Sequence, residues 1–109
     1  MLKLLTIIKV GKMNKMRAIH PGEILREEFM KPLGLSAHAL AVALRVGAPR
    51  INDIGREKRG ITPDTALRLA RYFNSTPQFW LNLQTSYDLK TAQLASWSKI
   101  EREVLPHAA

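Results

Sequence analysis

Between Ser36 and Arg59 the chain reads SAHALAVALRVGAPRINDIGREKR, and this stretch leaves few folds open. Ala37, Leu40, Ala41 and Leu44 recur at three- and four-residue steps, the spacing of one helix face. Ser36 stands where a hydroxyl can accept a free backbone N–H at the helix start. Val46, Gly47 and Ala48 break the run. Pro49 then suits the opening of a second helix, where its missing N–H would have no partner in any case. Ile51 and Ile54, one turn apart, give that helix an inner face and leave Arg50, Asn52, Asp53 and Arg56 outward. Any two packed helices of a small bundle share such periodicity. The small Ala41 at the expected crossing, with Ile51 to fill it, is the more specific mark of a helix-turn-helix.

At 109 residues the chain accommodates one domain and a tail. It has no cysteine, which removes disulfides and thiolate metal sites and is compatible with a reducing cytoplasm. His20, His38 and His107 are scattered without helical spacing, so capping or solvent-facing histidines are expected and no metal site. The formal charge is +8. Lys3, Lys9, Lys12, Lys15 and Arg17 supply much of it from a segment without acids. The high charge by itself therefore says little about the helical part. Locally, Arg45, Arg50, Arg56, Lys58 and Arg59 outnumber Asp53 and Glu57, and this surplus lies where a phosphate-facing surface belongs.

MLKLLTIIKV at the N-terminus is apolar but about half the roughly 20 residues a membrane span needs. It is followed by a basic stretch without a small-residue cleavage site, unlike a signal peptide. Met13 and Met16 are alternative starts. Residues 1–17 are expected to be a poorly ordered basic extension. Pairing of the β-branched run as an added strand is the alternative.

His20-Pro21-Gly22-Glu23 reads as a helix start, Glu23 reaching back as in a capping box, with Ile24, Leu25 and Phe29 as buried stripe and Pro32 and Gly34 as the stop. Thr62-Pro63-Asp64 opens another helix, whose core face is read as Ala66, Leu67, Ala70 and Phe73. Thr76-Pro77 opens the last, along which Phe79, Trp80, Leu83, Tyr87, Leu94, Trp97, Ile100 and Val104 follow, with a bend expected near Leu89 and Lys90. That helix carries more apolar surface than four short helices can cover. The surplus points to a partner chain, and a two-fold dimer through Trp80, Leu83, Leu94 and Trp97 is the expectation, with at least one tryptophan in the core.

HPGEIL, PLGLS, RINDI, RGITPDTALRLARYF, FWLNLQ and YDL, in this order, resemble the HigA family of antitoxins, also known as virulence-associated protein I, among the lambda-repressor-like helix-turn-helix proteins. The resemblance covers about residues 19 to 92. It implies an all-α bundle of about five helices with an extended C-terminal helix. It also implies a dimer that represses its own operon and neutralises an mRNA-cleaving, RelE-like ribonuclease toxin by direct binding. The chain divides accordingly into the extension 1–17, a helix-turn-helix domain 18–92 and a C-terminal helical extension 93–109. Two departures stand out: Arg45 occupies an inter-helix position where such motifs often have Gly, and Glu57 replaces a Gly at the end of the reading helix and brings an acid toward the phosphates.

On that reading the partners are operator DNA and the toxin, with no membrane, no cofactor and a cytoplasmic location. Arg50 is placed for base reading, since a guanidinium pairs bidentately with guanine O6 and N7, and Asn52 matches adenine N6 and N7. Asp53 could read cytosine but is better suited to orient Arg50 or Arg56, each three residues away. Arg56, Lys58, Arg59 and the amides after Thr62 are the expected phosphate contacts. No paired His, phosphate-cradling Gly loop or metal cluster supports an enzyme, so no catalytic residue is assigned. An RNA-binding module would want exposed aromatics in the basic stretch, which has none. A regulator without a toxin partner, or an interaction protein that no longer reads DNA, remains as the alternative, the latter favoured only by Glu57.

Overall fold

The structure, a computed structural model, describes residues 17–108. The expected extension and its possible strand therefore lie almost wholly outside the described residues. Among these residues five helices follow one another. Helix α1 is a continuous rod of three segments, α-helical Pro21–Ile24, π-helical Leu25–Met30 and α-helical Lys31–Leu33; α2 is Ala37–Leu44, α3 Ala48–Gly55, α4 Pro63–Phe73 and α5 Pro77–Glu103.

Local chemistry fixes the starts. Ser36, Thr62 and Thr76 each accept a backbone N–H of their own first turn, from Ala39 at 3.0 Å, Thr65 at 3.4 Å and Phe79 at 3.2 Å. His20 caps α1 with its ring: Gly22 N–H donates to Nδ1 at 2.8 Å. Glu23 does not reach back to complete a capping box; its carboxylate pairs with Arg17 at 2.8 Å. Pro32 does not stop α1, which runs on to Leu33 and ends at Gly34 in the left-handed region (φ 63°). The π segment is what accommodates it. Pro32 has no N–H to give and its ring crowds the preceding turn; with the ladder widened so that Lys31 N–H bonds the Arg26 carbonyl, that turn is already open.

The core is one cluster to which every helix contributes: Leu25 and Met30, Leu40, Ala41 and Leu44, Ile51 and Ile54, Ala66, Leu69 and Ala70, and Trp80, with Ile61 from the loop. Ala41 is 1% exposed and Ile51 fully buried, as a tight α2–α3 crossing requires. In α4 the reading of Leu67 as core is corrected. Leu67 is 59% exposed and Leu69 is buried in its place. The two flank the same Ala66–Ala70–Phe73 stripe, so periodicity permits either, and packing decides.

Two devices hold the α2–α3 pair against the rest. A Cβ on Gly22 would lie 1.8 Å from the Ile54 carbonyl oxygen, so only glycine lets the start of α1 meet the end of α3. Arg26 bonds the Gly55 carbonyl with Nη1 and approaches Glu57 with Nη2 at 3.6 Å.

Helix α5 runs unbroken through Leu89 and Lys90, with no interruption at the bend expected there. Its first half is held by Trp80 within the core, by Gln84, whose Oε1 accepts from Ile61 N–H at 2.6 Å, and by Tyr87, edge-on to His20 at 4.7 Å. Beyond that point it leaves the domain.

Candidate nucleic-acid interface

Helix α3 presents the site because Ile51 and Ile54 are fully buried, which turns the remaining positions outward. Asn52 and Asp53 are half-buried on its flank, while Arg56, Lys58 and Arg59 are exposed in the turn that follows. Arg56 and Lys58 form no ion pair among the described residues. That is the arrangement open to phosphate.

Asp53 does not orient Arg50 or Arg56. It pairs with Arg59, Oδ2 accepting from Nη2 at 3.4 Å, because the turn after Gly55 brings the chain back over the helix end. Arg50 is held from another helix: its Nη1 donates to Asp64 Oδ2 at 2.7 Å and to Thr65 Oγ1 at 3.5 Å. Arg68 Nε donates to the same Asp64 oxygen at 2.9 Å, and its Nη1 bonds the Leu44 carbonyl at the end of α2 at 2.9 Å. These hydrogen bonds, from Arg50 first and Arg68 second, hold the Asp64 carboxyl below its ordinary range. One shallow recess gathers Arg50, Arg59, Gly60, Thr62, Asp64 and Thr65. It joins residues expected for base reading with those expected for phosphate. The Thr62 hydroxyl is occupied with the cap and with Thr65 Oγ1, at 3.3 Å. Asp64 and Arg68 join the site only through this folded arrangement. Their spacing of four on one helix allowed a pair, but nothing in the sequence indicates that Arg50 shares it.

The two flagged departures from Gly both fall in left-handed backbone, Arg45 at φ 60° and Glu57 at φ 64°. Glu57 nevertheless directs its carboxylate toward Arg26, so it is not an unopposed acid facing phosphate. The feature that favoured a protein no longer reading DNA thereby loses its force.

Trp80 is no interface residue. It is fully buried among Phe29, Phe73 and Phe79, and its indole N–H bonds Ser75 Oγ at 3.1 Å. An aromatic that completes the α1–α4–α5 core cannot also present itself to a second chain. Leu83 packs partly against the same core. Leu94 and Trp97, each 53% exposed, remain as candidates. Among the described residues there is no cluster of three or more His, Asp or Glu able to hold a metal, and no helix long and apolar enough to cross a membrane.

Known proteins of the same build carry the comparison further. A family model described as helix-turn-helix matches residues 27–80. Virulence-associated protein I of Dichelobacter nodosus is 69% identical over 86 residues, 79% of each chain. The antitoxin HigA of Pseudomonas aeruginosa, solved with the higBA promoter, superposes with a TM-score of 0.83 at 54% identity, over 84% of this chain and all of that one. An addiction module antidote protein of the HigA family from Coxiella burnetii gives 0.80 at 52%, over 84% of this chain and 99% of that one.

Proposed function

This chain belongs to the HigA family of helix-turn-helix antitoxins, and from that premise we propose that it represses its own operon and neutralises an mRNA-cleaving, RelE-like ribonuclease toxin. The observation that carries the DNA half is the outer side of α3, where Arg50 and Asn52 stand over a run of exposed bases, Arg56, Lys58 and Arg59. With α3 in the major groove, Arg50 reads guanine and Asn52 reads adenine, while the three bases and the start of α4 take phosphates. Asp53 serves by holding Arg59. The antitoxin HigA solved with its promoter supports this use of the fold. The chain acts in the cytoplasm as a homodimer, so two α3 helices meet successive major grooves of a roughly palindromic site. The exposed Leu94 and Trp97 support that assembly. The toxin half rests on family membership.

The DNA half is tested by gel shift on the duplex upstream of the gene and on a scrambled duplex of equal composition. Arg50→Ala weakens upstream binding by about 1–3 kcal/mol and relaxes one base position. Lys58→Ala or Arg59→Ala weakens both duplexes and lowers the salt slope by about one. An equal loss on both duplexes for Arg50→Ala makes Arg50 a phosphate contact. Co-expression with the neighbouring reading frame tests the toxin half: relief of growth arrest is expected, and arrest unrelieved by this chain leaves a regulator without a toxin.

A further inference from the structure

We propose that Asp64 is a positioning residue for DNA recognition: shared between Arg50 and Arg68, its carboxylate sets the pose in which Arg50 meets the base edges. The inference rests on the operator-reading role above and adds to it a residue from a different helix.

Arg50 lies at the start of α3, on a side chain long enough to sweep a wide arc. The structure restrains that freedom. Its Nη1 is tied to Asp64 at 2.7 Å and to Thr65 at 3.5 Å, whereas Nη2 and Nε bond no group among the described residues. A guanidinium held by one corner keeps an adjacent pair of donors, Nε and Nη2, for the two acceptors guanine presents in the major groove. The carboxylate is itself fixed. Arg68 bonds the same Oδ2 at 2.9 Å and is anchored on the Leu44 carbonyl at 2.9 Å. The end of α2, the first turns of α4 and the start of α3 are thus joined in one chain of charge-assisted hydrogen bonds. An arginine already held in its reading pose loses less rotamer entropy on meeting its base. Asp64 also offsets one of the two positive charges beside it. That lowers the attraction for phosphate common to every sequence while leaving the base contact intact.

Asp64 is exposed, so its charge can be removed without opening the core. The experiment uses the full chain and four proteins: wild type, Asp64→Asn, Arg50→Ala and the double variant, each confirmed folded by its thermal transition. The readout is the ratio of affinities for the upstream and scrambled duplexes, with single-base substitutions across the site. Asp64→Asn is expected to lower the ratio about tenfold, with scrambled-duplex binding unchanged or tighter. It should relax the same base position that Arg50→Ala relaxes. In the double variant the ratio should fall no further than in Arg50→Ala alone, because Asp64 acts through Arg50. A merely structural role would weaken both duplexes alike. The proposal is overturned if Asp64→Asn keeps the wild-type ratio, if the two single variants relax different positions, or if their effects multiply. The wild-type arm reports separately on the operator reading: a wild type indifferent to the two duplexes overturns that reading and the proposal with it.

Discussion

At the scale of single residues, two positions beside α3 decide more than their size suggests. Gly22 is pressed against the Ile54 carbonyl, and Gly22→Ala would have to push α1 from α3 by more than a flexible side chain can absorb. A loss of about 3 kcal/mol is expected, read as a lower denaturant midpoint at unchanged m-value. His20 is 3% exposed, and burial pushes its imidazole below the ordinary 6.5, against the opposing pull of Glu57 and Asp88. Its Nδ1 must stay unprotonated to accept from Gly22. Below pH 6.5 the unfolded chain takes up a proton that the folded chain resists, so this contribution is complete above that value and is lost as the pH falls. Thermal transitions followed from about pH 7.5 to about pH 5 should decline more steeply for wild type than for His20→Asn, which keeps an acceptor and cannot titrate there. The ionised carboxylates of Glu23, Glu27 and Asp64, all held below their ordinary values, act in a more acidic window. That His20 starts a helix was legible from the Pro21 after it. That its ring is the cap was not, because a buried acceptor is defined by what covers it, here Tyr87 from the far end of the chain.

At the scale of elements, the helix starts were legible because each is signalled locally, by a hydroxyl followed by Pro in α4 and α5 and by Ser36 in α2. The ends and flanks were less so. Pro32 reads as a stop, yet a π segment upstream carries α1 through it. Leu67 and Leu69 fit α4's periodicity equally, and only the packing of α4 on α2 and α5 separates them. The same limit applied to the candidate nucleic-acid surface. Arg50 could be picked out from α3 alone, whereas its tie to Asp64 belongs to the meeting of two helices and has no signature in either. Arg45 ends α2 with φ 60°, where a side chain strains the backbone. Arg45→Gly should therefore stabilise the domain by about 1 kcal/mol. A calorimetric transition raised by about 4–8 °C would register this; an unchanged transition would mean that the arginine's own contacts offset the strain.

For the whole molecule, what matters is how much of α5 belongs to the domain. Its 27 residues make a rod of about 40 Å. Trp80, Gln84 and Tyr87 dock the first half, while Leu89, Leu94, Trp97, Ile100 and Val104 are all more than two-fifths exposed. If the second half joins two copies, Leu94→Glu should give a folded monomer by light scattering that binds a half-site weakly and loses cooperative operator binding. A variant that stays dimeric places the interface elsewhere. The surplus apolar surface of the last helix was legible in the sequence; that Trp80 lies outside that surplus was not, since its ring is claimed by Phe29, distant along the chain, as well as by Phe73 from the preceding helix. The division of α5 has a further consequence. By its hydrogen bonds it is one helix, but its peptide groups do not share one opening free energy. Amides around Trp80 exchange with solvent only when the domain unfolds, whereas those past Lys90 are released by fraying that a lone helical segment of this length hardly resists. In an isolated chain, protection should therefore fall sharply between Tyr87 and Leu94, and whatever covers the exposed face would reveal itself by carrying that boundary outward along the rod.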